Sequence, residues 1–407
     1  MKKAITGFII TVMAFALVFA ACDPMEGSFE AIKEKAGGWR GDGTEANPFK
    51  VYDVATLQRV GKETGAGKWN LTAHYRQTQN IDMSGESFTP IGNNSTDDID
   101  SRFTGSFNGN NYTIANLEIT DSAASYQGLF GYIDSGGLVE KVGLKDVNII
   151  GNDYVGGIAG INSKGTIQNC FVTGTVKGGD NVGGVTGQCF GPFTGISATV
   201  QNCYSTADVT GRMGVGGVAG AVYGSLAVLK NCYSAGDVQA SGYSAAIVGG
   251  IAGNNESGKI QYCYATGDVY SDKPYVGGVV GVNGSGGSVY NCVALNKNVK
   301  KNEPGAQLAR VVGEVQTAVL NYNYARNDMI LMYNMDGDGT TKAPDPGLNK
   351  PDGENTSINI YENFYTLGSN WVDNGWDFTN IWQWSSYINL PILRNMPTGL
   401  QDHSVTP

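Results

Sequence analysis

The residues of this 407-residue chain that could do chemistry are few and regularly placed. There are two histidines, His74 and His403, far apart in the sequence. A Ser/His/Asp or Cys/His nucleophilic site is therefore not expected. No His-Glu-x-x-His run occurs, so the zinc-peptidase pattern is absent. Arg212 is the only arginine between residues 103 and 300. That leaves little to handle a proton α to a carboxylate, as a polysaccharide lyase must. Aspartates recur at Asp146, Asp208, Asp237 and Asp268, with Thr175 breaking the row. Stacked about 5 Å apart, such carboxylates raise one another's pKa or recruit a cation. The plain alternative is an exposed turn residue, repeated because the turn is repeated. Asn334, Asp336 and Asp338, with Thr340 and Asp345 after them, match the ligand spacing of a calcium loop. Lys342 and Pro344 lie inside that loop and no flanking helices are evident. Structural calcium is therefore the one cofactor to consider. Arg40-Gly41-Asp42 is an integrin-type tripeptide in a glycine-rich stretch.

The cysteines and aromatics follow a stricter rule. Ile167-Gln168-Asn169-Cys170-Phe171 recurs as Val200 to Tyr204, Leu229 to Tyr233, Ile260 to Tyr264 and Val289 to Val293. Looser copies are Ile114 to Leu117 and Val139 to Val142 upstream, with Val319 to Tyr322 and Tyr361 to Phe364 downstream. Gly156-Gly157-Ile158-Ala159-Gly160 returns in phase at Gly183, Gly216, Gly249 and Gly277. Val176, Val209, Val238 and Val269 close each unit. Three short β-prone stretches per thirty or so residues, parted by Gly, Asn, Ser and Asp, fit one turn of a three-sided solenoid. The slot-one Ile, Val or Leu faces inward, and Cys170, Cys203, Cys232, Cys263 and Cys292 face inward three residues later. A spacing of three breaks the strand period of two. A corner therefore belongs at Asn169, Asn202, Asn231 and Asn291, a row that Tyr262 interrupts. The five cysteines are expected to be buried free thiols, because parallel Cβ vectors disfavour a disulfide. Cys189 is out of phase and is placed in a loop. If each Cys faces in, the next residue faces out. Phe171, Tyr204, Tyr233 and Tyr264 then form an outward stripe that could stack on sugars or anchor a protein. The alternative is a stack that only stiffens the coils.

These motifs resemble the GLUG repeat of bacterial surface proteins, found also beside immunoglobulin A protease-type metallopeptidases. The stretches Gly43 to Phe49, Asn80 to Gly85 and Phe107 to Ile114 fit it too, so the resemblance spans roughly 38 to 395. It implies a right-handed, single-stranded parallel β-helix of the pectate-lyase type and an adhesin-like role. It assigns no catalytic residues to the repeats.

The ends frame this body. Lys2 and Lys3, then the apolar run Ala4 to Ala21, read as a secretory signal, residues 1–21. Phe19-Ala20-Ala21-Cys22 resembles a lipobox, with Phe19 where Leu is usual, and implies lipidation at Cys22. A tether follows at 22–37, then an N-terminal cap and first coils at 38–112 and the repeats at 113–326. A loop insertion is expected at 327–357, the last coil and C-terminal cap at 358–397, and a tail at 398–407. Asp53 is placed as the N-cap of a short helix that could cover the first coil. Trp371, Trp376, Phe378, Trp382, Trp384 and Leu390 to Leu393 form an aromatic tail that could plug the last.

Net charge is −10, which argues against nucleic acid as a partner. Gly numbers 59, about twice the usual share, in a turn-rich rather than disordered composition. The expectation is a monomeric, non-catalytic binding or adhesion module. It is lipid-anchored in a bacterial envelope, at the outer membrane or cell surface, with a glycan or protein ligand. A carbohydrate-active β-helix enzyme is the alternative; it requires a cleft holding two or three carboxylates plus Arg or Lys.

Overall fold

The computed structural model describes residues 40–93, 99–242, 246–303, 307–333, 340–343, 352, 354–356, 371, 375–388, 390–396 and 401. Cys22 and the expected signal and tether lie outside these residues. So do His403 and the Tyr361 to Phe364 copy.

One coil shows the plan. Thr166–Gln168, Phe171–Lys177, Asp180–Gly183 and Thr186–Phe190 run in succession. Each pairs in parallel with its equivalent one coil on. Parallel ladders of ten, six and seven strands result, and the strands that follow the corner join in a fourth, larger set. The chain is an all-β parallel solenoid; the described helical residues are Val54–Arg59, the 3-10 turn Ile99–Ser101 and Trp371. Asp53 is the N-cap, as expected, and it exchanges bonds with Thr56 in a capping box.

The corner is where the spacing predicts it. Asn169, Asn202, Asn231 and Asn291 have φ of 53–54°, a left-handed conformation that asparagine tolerates best among side-chain residues. Asn231 Nδ2 donates to Asn202 Oδ1 at 3.2 Å, and Asn202 Nδ2 to Asn169 Oδ1 at 3.4 Å. Tyr262 takes the same corner with φ 53° and packs edge-on against Trp376, 6.1 Å between centroids. That contact offsets the strain of a bulky residue there.

The interior row Val139, Ile167, Val200, Leu229, Ile260 and Val289 is fully buried. So is the cysteine row, closed downstream by Asn323, whose Nδ2 donates to Val289 O at 2.8 Å. Close coil stacking leaves no room for side chains at the glycine bends. A Cβ on Gly183 would lie 2.2 Å from Thr186 O and 2.7 Å from Ala219 Cα.

Several expected placements change. Ile114 pairs with Ile81 and Leu144, while Phe107 pairs with Val139. The true upstream slot-one copy is therefore Phe107. Cys189 is not in a loop. It is fully buried in the strand Thr186–Phe190, stacked between Asn162 and Val222. The expected insertion at 327–357 starts later, because Ile330–Tyr333 continues the solenoid beside Asn298–Lys300. Glu354–Thr356 then pairs with Tyr324–Arg326.

Candidate functional site

The aromatic row is the first candidate, and it is built as expected but not exposed. Phe171, Tyr204, Tyr233 and Tyr264 are in register on successive coils. They face away from the bore, in a cluster separate from the main core. Their rings stack at 4.9–5.2 Å and 2–9°, the geometry that coil spacing imposes on identical rotamers. All four are nonetheless buried, at 0–3% exposure. Trp371, Trp376, Trp382, Leu390, Leu393 and Met396 belong to the same buried cluster. The antiparallel hairpin Trp382–Ser385 with Leu390–Leu393 lies on the row. Tyr264 Oη donates to Pro391 O at 2.7 Å, and Tyr233 Oη to Gln401 Oε1 at 3.1 Å. The tail thus packs along the flank of the coils. A surface stripe free for ligands is corrected to a ladder covered by the chain's own C-terminal segment. The signal was in the sequence: unpaired aromatics on a solenoid face, and tryptophans outside the repeat that need such a face.

An open groove lies elsewhere. It is walled by 85–90 and by 118–121 with Ala124 and Gln127, and encloses about 530 Å³. Asp82 Oδ1 shapes it, accepting from Ser84 N at 3.0 Å, Ser84 Oγ at 2.7 Å and Asn116 Nδ2 at 2.8 Å. The chain turns at Gly85, φ 76°, and rejoins the sheet at Ile91 opposite Phe130. The six-stranded ladder starts only at Val155–Gly156, with a single bridge to Gln127 before it. Coil 81–93 thus contributes no strand to that ladder, and the gap is the groove. Buried Ile119 and half-buried Phe88 are apolar lining; exposed Glu86, Glu118 and Asp121 bring three carboxylates, with no Lys or Arg in the lining. Sequence reasoning missed these acids, because the groove comes from a missing strand and no motif marks it.

The other candidates resolve into structure. The aspartate row is Asn148, Thr175, Asp208, not Asp146, because the pairing shifts between Val172 and Gly174. Asp208 Oδ1 accepts Asp237 N at 3.0 Å, Asp237 Oδ1 accepts Asp268 N at 2.8 Å, and Asp268 Oδ1 accepts Asn298 N at 3.0 Å. These carboxylates clip coil to coil. Asn334, Asp336, Asp338 and Asp345 lie outside the described residues. Thr340 sits in the strand Thr340–Thr341, antiparallel to Met332–Tyr333. Among the described residues no group of three or more potential His, Cys, Asp or Glu ligands converges. His74 Nδ1 lies 2.7 Å from Ser106 Oγ. Among the described residues no carboxylate forms an ion pair with the His74 ring, so nothing orients it as in a triad. Asp42 Oδ1 accepts from Thr44 N and Oγ1 at 3.1 and 2.7 Å, holding the Arg40-Gly41-Asp42 turn.

The six described cysteines are free and buried. Along the five-membered row burial is the largest influence and favours the protonated thiol. Burial pushes Cys189 to about 12. In native protein titrated with a thiol reagent at pH 8, these six thiols are therefore expected to react only at the rate of global unfolding, and completely in denaturant. Rapid native reaction of the row would contradict its position.

Comparison with known proteins bears on this fold. The model of the GLUG motif matches residues 151–177, 244–270 and 274–300, so the chain carries GLUG repeats. It is 40% identical over 154 residues to halomucin of Haloquadratum walsbyi, which spans 37% of this chain and 2% of that protein. It is 32% identical over 140 residues to a protein of Evansella cellulosilytica provisionally named a Gly-rich membrane protein, covering 32% of this chain and 15% of that one. The chain thus spans a small part of the length of these relatives. A solved chain from Bacteroides ovatus, provisionally named an immunoglobulin A1 protease, superposes with a TM-score of 0.60 at 21% identity. The match covers 88% of this chain and 96% of that chain, a likeness of fold.

Proposed function

For this surface-type parallel β-solenoid with GLUG repeats, we propose a non-catalytic binding module of the cell envelope whose ligand is a glycan held in the groove between Glu86 and Asp121. The carrying observation is that groove: an open concavity with an aromatic side chain and a rim of carboxylates and hydroxyls. Sugar hydroxyls are donors that carboxylates accept, and Phe88 offers a face for C–H stacking. The solenoid makes a rigid frame for it. A right-handed, three-sided course fits the strong handedness rule for parallel crossovers, and Val54–Arg59 suits a cover for the first coil. The Cys22 lipobox and relatives called halomucin and a Gly-rich membrane protein support an envelope location with a lipid tether. A monomer suffices for this role.

The same groove favours a second reading. Three carboxylates in one cleft are the raw material of glycoside hydrolysis, where one acid protonates the leaving oxygen and another acts on the opposite face. The absence of Lys or Arg from its lining speaks against a lyase. A glycan array run beside a reducing-sugar assay separates the two. Binding without product release is expected, and Asp121→Asn should weaken it about tenfold, the loss of one charge-assisted hydrogen bond. Reducing ends released by the parent and abolished in Glu118→Gln would favour the enzyme. Absence of any glycan binding would remove both.

A further inference from the structure

Toward the C-terminal coils the bore changes character. Ala240, Ser271 and Lys301 occupy one position on successive coils, and all are fully buried. The first two are small; the third brings an ammonium. Lys301 Nζ is enclosed and has no hydrogen-bond acceptor among the described residues. Neighbouring cations have partners. Arg326 grips Asp328 through Nε and Nη2 at 2.8 and 2.9 Å, and Lys297 Nζ lies 3.6 Å from the same carboxylate. Arg310 Nη1 donates to Arg326 O at 3.3 Å, and its backbone N to Asp352 Oδ1 at 2.9 Å. Lys342 Nζ donates to Leu308 O and stands 4.0 Å from Asp352 Oδ2. Glu303 is taken by Lys273 at 2.6 Å.

Among the described residues, Lys297, Arg326 and Lys342 stand at the carboxylates Asp328 and Asp352, while Lys301 stands at neither. Burial holds the Lys301 amine below its usual range, with Glu303 opposing and Lys342 reinforcing. Losing the proton would relieve the charge on Lys301 but still leave a buried N–H without an acceptor. A bound anion satisfies both at once. We infer that the bore of the last coils holds a site for a small oxyanion, with Lys301 as its central donor and Lys342 as a second. Its ligand class is inorganic sulfate or phosphate, or the carboxylate of a small acid.

Thermal unfolding and titration calorimetry of the full chain test this, with sodium sulfate, phosphate and acetate set against chloride at equal ionic strength. Sulfate stabilises folded proteins in general, so the comparison with Lys301→Met isolates the site. The parent should gain a saturable, anion-specific rise in melting temperature that Lys301→Met lacks. Lys301→Met should be at least as stable as the parent in chloride, since it removes an uncompensated charge. Lys342→Met, at a partly exposed position, should weaken the apparent affinity about tenfold. The anion that saturates at the lowest concentration identifies the ligand. A parent with no anion-specific response, or a Lys301→Met or Lys342→Met variant that keeps the full response, overturns the inference.

Discussion

Trp382→Ala is expected to cost about 3–5 kcal/mol of stability, the range for a large aromatic removed from a packed site. Trp382 is fully buried, 6.0 Å from Tyr264, 6.5 Å from Tyr233 and 4.8 Å from Trp376 by ring centroids. Among the described residues its indole nitrogen has no acceptor, so the loss is one of contact rather than of a hydrogen bond. The cavity would open under the hairpin, beside Trp371 and Trp376, which also cover the tyrosine ladder. Urea unfolding followed by tryptophan fluorescence reads the effect. A loss below about 1 kcal/mol, typical of a surface position, would mean that the C-terminal segment does not rest on the ladder.

A comparable loss is expected from a smaller change. Gly183→Ala adds one methyl group, but its Cβ would sit 2.2 Å from Thr186 O and 2.7 Å from both Ala219 Cα and Gly220 N. These are backbone atoms of the same bend and the next coil, so no side chain can swing aside. The coils cannot part locally either, because Val185 N and Thr186 N both bind Val218 O, at 2.9 and 3.0 Å. Overpacking typically costs about 1–3 kcal/mol, and a clash with fixed backbone belongs above that range. Gly136→Ala is the control. Gly136 has φ 87° but open space around it, so only conformational strain of about 1–2 kcal/mol applies. If calorimetric melting ranked Gly136→Ala as the worse variant, close coil stacking would not be what the paired glycines serve.

Much of the fold was legible because a solenoid writes one coil many times. The apolar slot and the Cys slot three residues later force a corner between them, and the left-handed Asn169, Asn202, Asn231 and Asn291 occupy it. Inward-facing cysteines followed from the same count. The failures came where one coil departs from its neighbours. Asp146 left its row because of a shift between Val172 and Gly174. Cys189 looked out of phase only because its ladder position is Asn162 in one neighbour and Val222 in the other. The direction of Phe171, Tyr204, Tyr233 and Tyr264 was legible, but their burial was not. Alternation says which face a residue takes, whereas its cover comes from Trp371, Trp376 and Trp382, outside the repeat. The groove was least legible of all, since it is the place where a strand of the pattern is missing.

The division between scaffold and ligand surface is testable directly by hydrogen–deuterium exchange with the tightest glycan found on the array. Protection is expected at 85–90 and 118–127, with the ladder and 371–396 unchanged. Protection at Tyr204 to Tyr264 and in the hairpin above them, with none in the groove, would contradict it.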